Sequence, residues 1–425
     1  MHSNQTKSRV FCTRDFVALT YTLKGSTMTQ NTPQRSRSTW TALAGLALIG
    51  VGIEAGCAPD SSDGDQLSEE ARDALKGMLE DAWPEVISLH LEAARTAAVS
   101  LSDATSAWSA DPTSAEAREA AQDAWTVALA AWQETEVMQL GPAGDSLKFV
   151  GGQDLRDEIY SWPLTNPCMV DQRTVRGEYA ETTFFDDVLV NSTGFDALET
   201  LLFSEPNTHV CPSQVLRDND WEALGADGVA QARADYAGVL TDQIIVNIDA
   251  IVGGWEDGFG ADLASAGTEG SSFVAQLEAA NAIYDALFYL ETRSKDRKLG
   301  WPLGLTDCGE DSCMGEIETP LAGGSQQWLA SNLKGFRALF IGGEGLGMND
   351  LLASVGHQDL ADQVIDALDE ADAAVAELDA PFDTVDSAKL AAAHAAVKKV
   401  TDLLKSDIAT VLTLQVPLEA AGDND

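Results

Sequence analysis

The sequence has few positive charges. Lysine and arginine together number 26, against 68 aspartate and glutamate residues in 425, and the formal net charge at pH 7 is −42. A polyanion would be repelled at every approach, so this shortage excludes nucleic acid as a partner. The acidic excess suits solubility, a saline medium or the attraction of cations, and by itself it identifies no ligand.

Histidine and the common catalytic motifs are scarce as well. No two of the five histidines share a helical turn, and no His-Glu-x-x-His, Gly-x-Ser-x-Gly or Cys-x-x-Cys sequence occurs. These absences disfavour a zinc peptidase and a serine hydrolase. A metal site would consist mostly of carboxylates, which suit calcium or magnesium better than zinc.

The apolar and polar alternation that is typical of strands is almost absent. Apolar residues instead recur at three- and four-residue steps, as in Trp125, Leu129, Trp132 and Leu140, with Glu136 on the same stripe. Such a stripe predicts a packing seam between helices. The sequence therefore predicts an all-α fold.

The N-terminus resembles a secretion signal. Arg35 and Arg37 precede an apolar run over residues 40–53 that ends at Ala-Gly-Cys57. This run is too short to span a bilayer but suits the apolar region of a signal peptide. We expect residues 1–57 to be a signal peptide whose lipobox cysteine, Cys57, is acylated after cleavage.

Export and acylation imply attachment to a bacterial membrane at the periplasmic side or the cell surface. Residues 58–67 are polar and form a tether between the anchor and the fold. Glu54 occupies a position where the lipobox prefers leucine, and Met28 offers an alternative start that would give a shorter signal.

Cysteine usage agrees with export to an oxidising compartment. Four cysteines remain when those of the signal region are set aside, and they could pair in three ways. The short loop from Cys308 to Cys313 most simply closes on itself, which leaves Cys168 to pair with Cys211.

Two acidic residues lie on the buried face of a predicted helix within residues 191–203. Asp196 and Glu199 are about 60° apart on a helix and share that side with large apolar residues. Buried carboxylates need partners. In one interpretation Asp196 completes a capping box with Thr193 and Glu199 meets an arginine; in the other, the two acids bind a cation.

Arg156 is the natural counter-charge for such a buried acid, because guanidinium pairs with carboxylate in a bidentate way. Its segment, residues 156–164, aligns without gaps on residues 295–303, and both segments end in Trp-Pro-Leu. This internal sequence repeat suggests that the chain consists of two related halves.

Gly194-x-Asp196-x-x-Glu199 resembles the Gly-x-His-x-x-Glu motif of the imelysin-like family, with aspartate in place of histidine. The resemblance covers nearly all of residues 68–415. It implies two facing helical bundles, which we expect at residues 68–205 and 206–425. It also implies either metal-dependent peptidase activity, which the missing histidine weakens, or a role in iron uptake.

Together these observations predict an exported, lipid-anchored protein that binds a ligand or a metal ion, iron or calcium, where the bundles meet. We expect the site at Asp196, Glu199 and Arg156, with Gly194 as the motif glycine. A metal-dependent peptidase is one alternative. A surface protein whose acidic pair is purely structural is the other.

Overall fold

The computed structural model describes residues 67–216, 218–305, 308–309 and 312–421. The predicted signal peptide, Cys57 and all but the last residue of the predicted tether lie outside these residues. Within them the chain forms helices, turns and loops and no strand, which confirms the all-α prediction.

The first helices carry the predicted packing seam. Pro84 predicts a kink in the first helix because proline cannot donate the intrahelical hydrogen bond. It lies in the π-helical segment Ala82–Ile87, between the first two α-helices. Trp125, Leu129 and Trp132 are buried along one side of the third helix. The helices up to the Asp196 region are α1 Glu69–Asp81, α2 Ser88–Ala110, α3 Ala115–Thr135, α4 Leu155–Ile159, α5 Pro167–Arg176, α6 Phe184–Asp187 and α7 Gly194–Phe203.

The longest of the remaining helices, α8, packs against α2 and α7 and is kinked at Gly225, where φ is +67°. By length and composition the stretch Asp220–Ala264 could cross a membrane, but Leu240, Ile244 and Ile248 are buried in the protein core. These helices are α8 Asp218–Gly254, α9 Gly260–Ala264, α10 Gln276–Leu287, α11 Ser325–Ile341, α12 Met348–Ser354, α13 Gln358–Ala376, α14 Ser387–Leu403, α15 Ala409–Leu412 and α16 Leu418–Ala421.

Three further π-helical segments extend these helices: Trp255–Phe259, Leu290–Leu299 and Leu404–Ile408. The glycine content of residues 253–270 predicts a loop, but residues 253–264 are helical, so the prediction is wrong for that part. Trp255 and Phe259 are buried there and hold the chain helical against the core.

The hydrophobic core draws residues from both predicted bundles into one cluster that runs from Ala74 to Ala420. The two Trp-Pro segments of the internal sequence repeat meet within it, with the rings of Trp162 and Trp301 5.7 Å apart. The division into bundles at residues 205 and 206 stays a prediction.

Both predicted disulfides are present. Cys168 bonds to Cys211, and this bridge lies beside a small satellite cluster that includes Trp221 and Val229. Cys308 bonds to Cys313 within the irregular segment that follows the second Trp-Pro sequence. Disulfides of this kind are typical of an oxidising compartment.

Candidate functional site

Gly194 places the acidic helix α7 against the end of α4. Its φ is +68°, and a Cβ at this position would overlap the carbonyl oxygen of Ile159. Only glycine accepts both the backbone conformation and the close approach. The motif glycine is therefore a positioning residue, because it brings the first turn of α7 to the backbone just after α4.

Asp196 uses that approach to bind backbone N–H groups. Its carboxylate accepts hydrogen bonds from the N–H of Ser161 at 2.7 Å and of Trp162 at 3.0 Å. Burial raises the pKa of Asp196 to about 6. The capping-box interpretation is wrong, since Thr193 makes no side-chain cap and Asp196 faces the neighbouring segment instead.

Glu199 lies one turn further along α7 and is also buried. Its carboxyl accepts hydrogen bonds from the N–H groups of Leu321 at 2.8 Å and Ala322 at 2.9 Å. Burial raises the pKa of Glu199 to about 8, and the nearby Asp196 and Glu318 carboxyls add to the rise. The expectation that Glu199 meets an arginine is wrong: its hydrogen bonds come from backbone.

Arg156 pairs with Glu136 and not with either acid of α7. Its guanidinium donates to the buried Glu136 carboxylate, with the shortest distance 2.7 Å, and to Asp157 at 2.9 Å. Arg156 lies close enough to lower the pKa of Asp196 but donates no hydrogen bond to it. The hydroxyl of Tyr289 donates to Glu136 at 2.8 Å. The predicted pairing of Arg156 with the acidic helix is therefore wrong.

A second buried charge pair lies beside the first, and the sequence did not predict it. The Lys298 ammonium contacts the Glu318 carboxylate at 3.0 Å and donates to the side chains of Gln133 at 2.7 Å and Asn332 at 2.8 Å. The Tyr160 hydroxyl donates to Glu318 at 2.5 Å. Burial lowers the pKa of Lys298. These groups form a polar core that joins distant parts of the chain, and the second oxygen of Glu318 has no donor among the described residues.

A cavity of about 400 Å³ opens next to these pairs, and we call it the interface pocket. It is lined by residues within 139–157 on one side and within 285–293 and 417–419 on the other, so both predicted bundles contribute. Arg156 and Tyr289 reach its wall, and the ion pair of Lys148 with Glu419 lies at the pocket. Asp196 and Glu199 do not line it.

Arg293 differs from the buried cations Arg156 and Lys298, which are both paired with carboxylates. It is partly buried and lines the pocket, and it makes no hydrogen bond or ion pair with any residue that the structure describes. Burial, with the like charges of Arg156 and Arg297, lowers the pKa of Arg293 to about 10, so it still carries its charge at neutral pH. The pocket thus contains a partly buried guanidinium that forms no ion pair with the described residues, although the Glu136 carboxylate is near enough to oppose the fall of its pKa.

Five acidic residues line the same pocket as Arg293: Asp145, Asp154, Asp157, Asp285 and Glu419. Asp157 and Asp285 both line it, and burial raises the pKa of Asp285 to about 7. At neutral pH Asp285 can therefore donate or accept a hydrogen bond. The sequence carried one signal for this site: residues 293–298 hold four of the chain's 26 basic residues.

Among the described residues no group of three or more histidine, cysteine, aspartate or glutamate side chains could hold a metal ion. The two acids of the motif, Asp196 and Glu199, accept hydrogen bonds from backbone N–H groups. The partial positive charge of these N–H groups stabilises the carboxylates as a cation would. The arrangement can bind an anionic group at Arg293. It offers no ready set of ligands for a bare cation.

The family model of imelysin, Peptidase_M75, matches residues 88–411. The chain belongs to the imelysin family. Among solved structures, it is similar to an iron-regulated protein A precursor from Parabacteroides distasonis, with a TM-score of 0.61 and 15% identity over 80% of this chain and 95% of that one.

It is also similar to an imelysin-like protein from Psychrobacter arcticum, with a TM-score of 0.58 and 16% identity over 81% of this chain and 98% of that one. No curated protein matches the chain. At these identities the two structures establish a shared imelysin fold, and the family match agrees with the motif that surrounds Gly194.

Proposed function

We propose that this imelysin-family chain is an exported, lipid-anchored binding protein that holds a small anionic ligand in the interface pocket and serves iron acquisition. The observation that carries the proposal is Arg293, a partly buried guanidinium without a partner among the described residues. Desolvating a charge without pairing it costs free energy, and an anion bound in the pocket would offset that cost.

The neighbours of Arg293 favour a carboxylate over a simple inorganic ion. Guanidinium binds carboxylate through two parallel hydrogen bonds. Asp285, whose pKa is about 7, and the hydroxyl of Thr292 line the same pocket and suit hydroxyl groups of a ligand. A hydroxycarboxylate matches both features.

Iron enters this proposal as an anionic complex. No cluster of metal-binding side chains exists in the described part of the chain, so a bare iron or calcium ion has no evident site there. A ferric ion bound by hydroxycarboxylates carries its own ligands and can present a carboxylate to Arg293. The name of the Parabacteroides protein, an iron-regulated protein, supports the link to iron.

Isothermal titration of the mature protein with citrate, ferric citrate, phosphate and calcium chloride tests the proposal. We expect citrate or ferric citrate to bind and calcium alone not to bind. Arg293→Gln should weaken binding at least about tenfold, since a hydrogen bond to a charged group contributes roughly 1.5–3 kcal/mol. Arg337→Gln, which removes a surface ion pair with Asp369, is the matched control.

Failure of both citrate and ferric citrate to bind, or equal affinity in the parent and the Arg293→Gln variant, would contradict the proposal. The family's name keeps metal-dependent peptide hydrolysis as a second candidate. Hydrolysis of a protein substrate that a chelator abolishes would favour that candidate instead.

A further inference from the structure

A second, much smaller cavity lies between the end of α3, the end of α8 and the α1–α2 junction, and we call it the tryptophan cavity. Its volume is about 10 Å³, which is room for one particle the size of a water molecule. Trp132, Gln139 and Trp255 line it, and Arg156 borders it as well.

Three N–H donors on this lining have no acceptor among the described residues. They are the indole Nε1 of Trp132, the indole Nε1 of Trp255 and the amide Nε2 of Gln139, and all three atoms are buried. Most buried N–H groups in proteins have a partner. Three such donors around one cavity therefore point to something that accepts hydrogen bonds there.

The two indole rings are held in place by packing. Trp132 lies on the buried seam of α3, and only 2% of its surface is exposed. Trp255 is stacked on Trp83, with ring centroids 5.0 Å apart and planes within 6° of parallel. Neither ring can turn its N–H toward solvent without disrupting this packing.

We propose that the tryptophan cavity binds a halide ion, with chloride as the natural occupant. A halide accepts hydrogen bonds from several N–H donors at once and requires no acceptor in return. The positive charge of Arg156 borders the same space. The rest of the wall consists mainly of apolar side chains, among them Ile87, Leu91 and Ile251.

A single water molecule fits these donors less well. Water accepts two hydrogen bonds and brings two hydrogens that need acceptors of their own. The hydroxyl of Thr135 also lines the cavity, but its hydrogen is donated to the carbonyl of Trp132 at 2.7 Å. A water molecule could accept hydrogen bonds from two of the three N–H donors and would leave the third without a partner.

A halide requires the wall of the tryptophan cavity to move outward, because the cavity has room for one water-sized particle. Chloride is larger than water, and the wall includes Met138, an unbranched side chain that adapts its shape to a contact. The chain as a whole is strongly negative, but interactions between exposed charges are screened within about 10 Å at ordinary salt. Near the cavity, the Arg156 guanidinium and the three N–H groups contribute positive potential, and the Glu136 carboxylate paired with Arg156 contributes negative potential.

Crystals of the mature protein grown without chloride and in sodium bromide test the proposal directly. We expect an anomalous bromine peak in the tryptophan cavity, within hydrogen-bond distance of the three donors. Density without anomalous signal at this place, or no density, would overturn the proposal and assign the cavity to water or to no occupant.

A solution experiment measures the same site. Bromide should raise the melting temperature more than gluconate at equal ionic strength, with a half-saturation concentration that gives the affinity. Trp132→Phe keeps the ring and removes one N–H, so it should weaken bromide at least about tenfold.

Two controls isolate the site. Trp125→Phe removes an indole N–H that donates to the carbonyl of Phe195, and Arg293→Gln alters only the interface pocket. Both variants should bind bromide like the parent. Unchanged bromide affinity in Trp132→Phe would overturn the proposal, and if that variant does not fold, the bromide crystals decide.

Discussion

The Glu199 carboxyl provides a quantitative test of how the acidic helix is stabilised. Burial raises its pKa from an ordinary 4.5 to about 8. Between these values the native state holds a proton that the unfolded chain has lost, so stability is greatest below pH 4.5 and falls as the pH rises to about 8. At about 1.4 kcal/mol for each tenfold change in proton affinity, the fall amounts to as much as roughly 5 kcal/mol.

Glu199→Gln removes this dependence. Glutamine has the shape of the protonated acid, and its carbonyl oxygen can still accept the N–H groups of Leu321 and Ala322. We expect the variant to match the parent near pH 4.5 and to exceed it by roughly 2–5 kcal/mol at pH 9. Urea unfolding of the disulfide-intact protein across this pH range measures the difference.

Glu222→Gln is the matched control, because Glu222 is exposed and the change should leave the pH profile of the parent unaltered. One outcome would refute the reasoning. If Glu199→Gln is less stable than the parent by about 3–5 kcal/mol at every pH, Glu199 is ionised and paired with a buried cation. A difference that stays constant with pH would also contradict the raised pKa.

Three further predictions concern the buried ion pair, the disulfides and the anchor. Glu136→Gln should cost about 3–5 kcal/mol in urea unfolding because Arg156 stays buried and keeps only the half-exposed Asp157 as a partner. Glu136→Leu with Arg156→Met should cost less than Glu136→Gln and less than the sum of its two single changes; strictly additive losses would contradict this. Replacing Cys168 and Cys211, which are 43 residues apart, with alanine should lower the free energy of unfolding by roughly 4 kcal/mol. The same change at Cys308 and Cys313, which are 5 residues apart, should lower it by roughly 2 kcal/mol. The reverse order would refute the loop-entropy argument. Mass spectrometry of the membrane fraction should find a lipid on Cys57, and a mature protein that begins at another residue would reject the anchor.

The helices were predictable because their signal is local. Trp125, Leu129 and Trp132 recur at helical spacing, and the structure buries all three. Pro84 marked the place where the first helix changes geometry. A loop was the wrong prediction for the first part of the glycine-rich residues 253–270. Glycine lowers helix propensity locally, whereas the burial of Trp255 and Phe259 depends on the whole fold.

The partners of the acidic pair were not predictable from the sequence. Asp196 binds N–H groups 34 and 35 residues away, and Glu199 binds N–H groups 122 and 123 residues away. Every residue except proline supplies a backbone N–H, so no residue type identifies such a partner. Arginine was the natural expectation for a buried acid, and the fold pairs Arg156 with Glu136 instead.

Buried charges that are paired within the fold serve stability, whereas a buried charge without an ion pair is a candidate for ligand binding. Glu136 with Arg156, and Glu318 with Lys298, find their counter-charges within the fold, so removing one member affects stability first. Arg293 is desolvated and makes no direct ion pair with any described residue, although Glu136 is near enough to act on its pKa. An anion in the interface pocket would supply the missing partner. For that reason Arg293 should affect binding far more than folding, whereas Asp196 and Glu199, which the sequence motif singled out, should affect folding first.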